Sequence, residues 1–200
     1  MGVLTSIIDR SIAGSFSSDM FFNIRGGAFR YCSSLTSVSF PNATSIGGRA
    51  FNNCRGLTSV SIPNATSIGT QAFYYCSSLT SVSIPKATNI SSYAFFSCSS
   101  LTSVSISEAT SIGQYAFYNC SSLTEVSFPN ATSIDVYAFN SCSALTTLYI
   151  GTESNTVCTL SSKNAIPSSV TDIYVPASLV DSYKSATNWS TFASKIKATP

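Results

Sequence analysis

The amino-acid sequence predicts a repeat solenoid, mostly β. It expects one parallel sheet, short extended or 3₁₀ segments on the other side, and small helical caps at the ends. Three observations carry that expectation. A 22-residue unit starts at Ala28, Ala50, Ala72, Ala94, Ala116 and Ala138, with no insertion or deletion between the first start and the last. Each unit follows A-F-x-x-C-x-x-L-T-x-V-S-Φ-P-x-A-T-x-I-x-x-x, where Φ is Phe or Ile. Apolar residues fill 44% of the 200 positions and charged residues only 9%, against about 25% in ordinary domains, so the exterior is built from Ser, Thr, Asn and Tyr. A fixed period of about 20–50 residues marks units that bury their apolar faces only against their neighbours. One domain follows: a cap over 1–20, a solenoid over 21–151 and a capping region over 152–200.

In chain order, Leu4, Ile7, Ile8 and Ile12 have the spacing of a two-turn amphipathic helix, which Gly14 would stop. Such a helix would cover the open end of the first coil. Phe21 to Gly27 matches the tail of a repeat, with Ile24 one period before Ile46. Within a full unit Leu35, Val38 and Phe40 are apolar while Ser37 and Ser39 alternate outward, a short strand. Pro41, Pro63, Pro85 and Pro129 end it by removing a ladder donor. Ala43 and Ile46 turn inward from a second extended segment. Gly47, Gly69 and Gly113 then mark a turn in which a left-handed residue is allowed but not required, because Arg25, Ser91 and Asp135 hold the same position elsewhere. Ala-Phe-x-x-Cys is read as one tight helical or 3₁₀ turn, since the period leaves no room for a full helix. Eight columns of each unit thus face the core, and coils stack at about 4.8 Å.

Beyond Ile150 the period breaks. Thr156 to Leu160 and Thr171 to Val175 read as two further strands, the second ended by Pro176. Ser178 is placed to cap a helix running to about Ala186, and Trp189, Phe192 and Ile196 have the spacing of a second short helix over the last coil. The alternative, an independent binding module, is the weaker reading of this tail.

Read circularly, L-x-x-V-x-I-P-x-x-x-x-x-I-G-x-x-A-F-x-x-C resembles the BspA-like class of bacterial leucine-rich repeats, over roughly Phe21 to Gly151. Ser107 departs from the pattern where a strand-ending proline is expected. The resemblance implies a right-handed leucine-rich-repeat coil, extracellular or at the cell surface, or in a phage structural protein, used for adhesion. It fixes a class of function and not a ligand.

The chemistry of the sequence points away from catalysis. Histidine is absent, which removes the Ser-His-Asp and Cys-His routes to an activated nucleophile. Glu108, Glu125 and Asp135 sit at different repeat positions and form no acid/base pair. Six of the seven cysteines (Cys32, Cys54, Cys76, Cys98, Cys120 and Cys142) share one column. Their side chains would run parallel, where a disulfide needs them convergent and zinc needs four ligands around one point. A buried thiol ladder follows, with Cys158 off the column, and no cofactor or metal site is expected. The net charge of +2 is too small for a nucleic-acid footprint, although Arg25, Arg30, Arg49 and Arg55 gather in the first repeats. No stretch reaches the roughly 18 apolar residues of a membrane span. MGVLTSIIDR lacks the basic start and continuous apolar core of a secretory signal, which leaves signal removal, another export route or an internal location open. Lys86 and Glu108 share a column in adjacent units and are placed to pair across the ladder.

Three functions are compatible with these features. The first is a non-enzymatic adhesion or recognition scaffold for a protein or glycan. The second is a purely structural assembly component. The third is an ice- or surface-binding array of the Ser37 and Ser39 hydroxyls and their equivalents, ranked last because threonine is the residue expected there. The candidate partner-binding residues lie before Ala and after Phe in the Ala-Phe-x-x-Cys turn. In the first units these positions hold Arg30, Arg49 and Asn52; in the middle they hold Tyr74, Tyr93, Phe96, Tyr115, Tyr118 and Tyr137. Stacked coil on coil, these rings make an aromatic strip. It is expected either to contact a partner or only to shield the turn layer.

Overall fold

The structure, a computed structural model, describes residues 2–4, 12–151, 153 and 155–200. Each coil has three sides: a strand centred on the valine column, a shorter strand ending at the isoleucine column, and a run of turns carrying Ala-Phe-x-x-Cys. The valine strands of successive units pair parallel in a register of one period, Ser37 with Ser59, Val38 with Val60 and Ser39 with Ser61. The second extended segment builds a ladder of its own. Eight parallel strands run from Gly2–Leu4 through Phe21–Ile24 and Ser45–Ile46 to Thr159–Leu160. The solenoid thus has a second sheet beside the one expected. With like units stacked in register, an extended segment lies over its own copy, and except between Ser103–Ser105 and Glu125–Phe128 its backbone groups find their partners there.

The core is periodic. Phe29, Phe51, Phe73, Phe95, Phe117 and Phe139 stack with centroids 5.0–5.4 Å apart and planes within 10° of parallel. Around this spine the Ala, Cys, Leu, Val, Phe/Ile, second Ala and Ile columns are buried, with Val104 only partly so, and the expected eight columns face inward. All seven cysteines are buried thiols. Each ladder thiol from Cys54 to Cys142 donates to the carbonyl of the phenylalanine one coil back, at 2.9–3.2 Å. The slot is therefore apolar with one acceptor in it, which suits a weak donor such as S–H.

Side chains clip the coils together on the outside too. Thr58, Thr80, Thr102 and Thr146 each donate their hydroxyl to the carbonyl of the equivalent threonine one coil back. In the column after the strand-ending proline, Asn42, Asn64 and Asn130 likewise lean back to a carbonyl of the preceding coil. Lys86 follows this lean and donates to Asn64 Oδ1 at 2.8 Å. It does not pair with Glu108: the only ion pair among the described residues joins Lys197 to Asp172. The period was right, but the direction of the side chain decides the partner.

The turn side departs from a 3₁₀ turn. Its amides alternate: those of Ala50, Asn52 and Cys54 bond three residues back, to Gly47, Arg49 and Phe51, while those of Arg49, Phe51 and Asn53 bond forward to the next coil. Left-handed residues make this alternation possible. They occupy two columns, Arg49, Gln71, Tyr93, Tyr115, Tyr137 and Tyr31, Asn53, Tyr75, Ser97, Asn119, Ser141, with φ of 55–66°. Gly47, Gly69 and Gly113 are not among them. The adjoining coil lies close to them: a Cβ on Gly47 would lie 2.4 Å from the Gly26 amide nitrogen, although Ser91 and Asp135 are accommodated in the same column.

At the first end, Leu4 closes a strand that pairs with Phe21–Ile24. The rest of the helix expected there, over 5–11, lies outside the described residues. Ile12 packs partly buried against the core. At the other end a 3₁₀ turn, Ala177–Leu179, leads into the helix Val180–Ser185; Ser178 does not cap it. Trp189–Lys195 is a 3₁₀ helix, and Ile196 opens a closing strand, Ile196–Ala198, instead of extending it. Tyr183 and Trp189 seal the last coil: the Tyr183 hydroxyl accepts from Cys158 N and Trp189 Nε1 donates to Cys158 O.

Candidate functional site

The rings predicted from the sequence come together on the outer face of the turns as two parallel rows. One row is Tyr93, Tyr115 and Tyr137, with centroids 5.0 and 4.9 Å apart. The other is Tyr74, Phe96 and Tyr118, at 4.9 Å for both steps. The rows touch through Tyr93–Phe96 at 5.8 Å and Tyr115–Tyr118 at 5.4 Å. All six rings are half-buried. The first row stands on left-handed residues. That backbone turns the side chain away from the core, so a tyrosine there lies along the outside instead of entering the crowded turn.

The reading of alternate positions missed Tyr75. It stands in the second left-handed column, packs edge-on to Tyr74 at 4.7 Å, and is 39% exposed. Its signal was present in the sequence, an aromatic before Cys76, but a single 3₁₀ turn gave that position no outward direction. Toward the first coils the same face becomes basic. The Arg30 guanidinium lies 4.6 Å over the Tyr31 ring, and Arg49 Nε donates to Gln71 Oε1 at 2.7 Å.

Stacking decides what the strip offers. Phe96 and Tyr115 have a ring on each face, so they present edges, and for Tyr115 a hydroxyl, to the outside. Burial among the neighbouring rings pushes the Tyr74 and Tyr115 phenols up from their ordinary 10.0. No group of three or more His, Cys, Asp or Glu placed to hold a metal occurs among the described residues.

The period, the turn motif and the paired ladders meet in one comparison. The repeat family described as the BspA type leucine-rich repeat region matches residues 22–146 and 88–187, in six copies. The chain belongs to that family. It is a repeat family and not a catalytic one. Among solved structures, a leucine-rich repeat protein from Bacteroides ovatus is 22% identical with a TM-score of 0.66, covering 93% of this chain and 54% of its own. The T. pallidum leucine-rich repeat protein is 20% identical with a TM-score of 0.51, covering 98% and 90%. A leucine-rich cell surface protein of Faecalibacterium prausnitzii is 20% identical with a TM-score of 0.46, covering 81% and 56%. At these identities the likeness is one of fold. This chain thus spans about half the length of the Bacteroides protein it resembles. Among curated proteins none matches the sequence. No helix among the described residues is long and apolar enough to cross a membrane.

Proposed function

We propose that the BspA-type repeat array is a recognition scaffold whose partner-facing surface is the aromatic strip, and that its partner there is a protein. The observation that carries this reading is the stacking. The rings are fixed by their neighbours before any partner arrives, so little side-chain entropy remains to be lost on binding. Tyrosine edges and hydroxyls on a rigid, weakly charged face are the chemistry of protein contact surfaces. A glycan would need ring faces, and in the middle of the strip these are already covered. The setting is the outside of a bacterial cell or a phage particle, in keeping with the family resemblance. The alternative, a purely structural component, needs no partner for the strip.

The test is a variant that removes hydroxyls and keeps rings: Tyr93→Phe, Tyr115→Phe and Tyr137→Phe together. Fluorescent beads carrying either protein are counted on epithelial monolayers, untreated, trypsin-treated or glycosidase-treated. The reading expects wild-type binding that trypsin abolishes and glycosidase spares, and at least about a tenfold loss for the triple variant with an unchanged melting temperature. Equal binding by the two proteins would move the contact off the strip, and no binding by either would favour the structural component.

A further inference from the structure

The valine sheet parts at one coil boundary. Elsewhere along the repeats the threonine after the leucine bonds one coil back through its amide: Thr58 to Thr36, Thr80 to Thr58, Thr102 to Thr80 and Thr146 to Thr124, at 2.7–3.0 Å. Among the described residues no such bond joins Thr124 to Thr102, and the hydroxyl clip is missing there as well. The strands Ser103–Ser105 and Glu125–Phe128 do not pair; they are edges of separate sheets. The other two sides of the same boundary stay closed, through Ile112 against Ile134 and through the Phe95 amide on Ala116 O at 2.7 Å.

A groove of about 310 Å³ fills the parting, with Thr102, Ser103 and Val104 on one lip, Glu125 and Ser127 on the other, and Tyr149 at one end. Two departures from the repeat line it. Glu125 stands where other units have Ser37, Ser59, Ser81 and Ser103; Tyr149 stands where they have Ser39, Ser61, Ser83, Ser105 and Ser127. Val104 is only partly buried, while Val38, Val60, Val82 and Val126 are buried.

Tyr149 differs from the rings of the turn face. Tyr174 stacks on one of its faces at 4.9 Å and 14°. On the other side its column continues as Ser127, too small to cover a ring. The groove therefore combines an available aromatic face, a carboxylate acceptor, the Ser103 and Ser127 hydroxyls, and backbone groups released from the ladder, the Thr124 N–H and the Thr102 C=O. A pyranose has the matching surfaces: a C–H-rich face for the ring and equatorial hydroxyls for paired donors and acceptors. The lining carries a carboxylate and no Lys or Arg, which disfavours an anionic sugar.

We propose that the parting is a subsite for one neutral pyranose unit, stacked on Tyr149 as the third member of the Tyr174–Tyr149 column and hydrogen-bonded by Glu125. Its size suits a single ring. Host glycans and bacterial polysaccharides both present such units. The site is separate from the aromatic strip and does not rest on the function proposed for it.

Saturation-transfer NMR tests this with the methyl glycosides of glucose, galactose, mannose, N-acetylglucosamine and glucuronic acid as probes. Tyr149→Ser restores the residue of the other units and so spares the fold, which circular dichroism checks. The proposal expects transfer to at least one neutral glycoside, weakened about tenfold or more by Tyr149→Ser and severalfold by Glu125→Gln. It also expects glucuronide to bind more weakly than glucoside, and the triple Phe variant of the strip to bind sugar as well as wild type does. The proposal is overturned by absence of transfer to all four neutral glycosides, by undiminished transfer in folded Tyr149→Ser, or by a preference for glucuronide. If binding is confirmed, polysaccharides of each source, added as competitors, show which one carries the preferred unit.

Discussion

Tyr93 puts two opposed effects at one residue, and a pair of substitutions separates them. Its ring stacks on Tyr115 at 5.0 Å and leans on Phe96 at 5.8 Å, contacts worth about 0.5–1.5 kcal/mol each. Its backbone is left-handed, φ 60°, at a cost of about 1–2 kcal/mol for a residue with a Cβ. Tyr93→Ala removes both ring contacts and keeps the strain, so it should cost about 1–3 kcal/mol. Tyr93→Gly removes the same contacts and the strain together. It should therefore be more stable than the alanine variant by about 1 kcal/mol, although glycine is normally the more costly residue by a similar amount. Urea denaturation followed by circular dichroism gives the two midpoints. A glycine variant less stable than the alanine variant would refute the left-handed assignment, and with it the outward direction of the whole Tyr93–Tyr115–Tyr137 row.

Three further predictions concern the thiols. Unreduced protein titrated in denaturant should yield seven thiols per chain, the number of buried thiols; five or fewer would mean a disulfide. The sequence alone suggests that Cys98→Ser puts a hydroxyl in an apolar slot at about 1–3 kcal/mol. Phe73 O lies 3.2 Å from Cys98 Sγ as an acceptor, so Cys98→Ala, which loses the donor and leaves space, should be the more destabilising of the two by urea midpoint. The column also sets an alkaline limit. Burial, helped by the neighbouring thiol of Cys32, pushes Cys54 from 9.0 to about 12, and burial pushes Cys158 to about 12. Thiols raised in the folded state bind protons that the unfolded chain has lost, so their stability is fully present below pH 9 and is lost as pH rises toward 12. Denaturation midpoints should be flat just below pH 9.0 and fall above it; a midpoint that rises there would contradict the ladder.

What the sequence made legible was whatever the period controls. A strict repeat forces like onto like, so the eight core columns, the thiol row and the adjacency of the tyrosines could be read without coordinates. Direction was harder. Lys86 and Glu108 share a column, yet the lean of that column toward the preceding coil sends Lys86 to Asn64. The left-handed columns could have been found by reading down the repeat and not along it. Gly27, itself left-handed, heads the column of Arg49 and Tyr93, and Asn53 and Asn119 mark the other. The parting between Ser105 and Glu125 had a trace in the sequence, because Glu125 and Tyr149 both depart from the pattern. Single departures in exposed columns look like surface variation until the stacking puts them beside one another.

Because the units from Ala28 through the Ser103–Ser105 strand offer one another like surfaces, a unit within that stretch is an exchangeable part. Excising residues 72–93 would bring Gln71 against Ala94, and each ladder would close again on a column of its own kind. The same excision would take Tyr74 and Tyr93 off the strip, one ring from each row. Under the function proposed above, the length of the contact surface is then set by the number of units and not by any single residue.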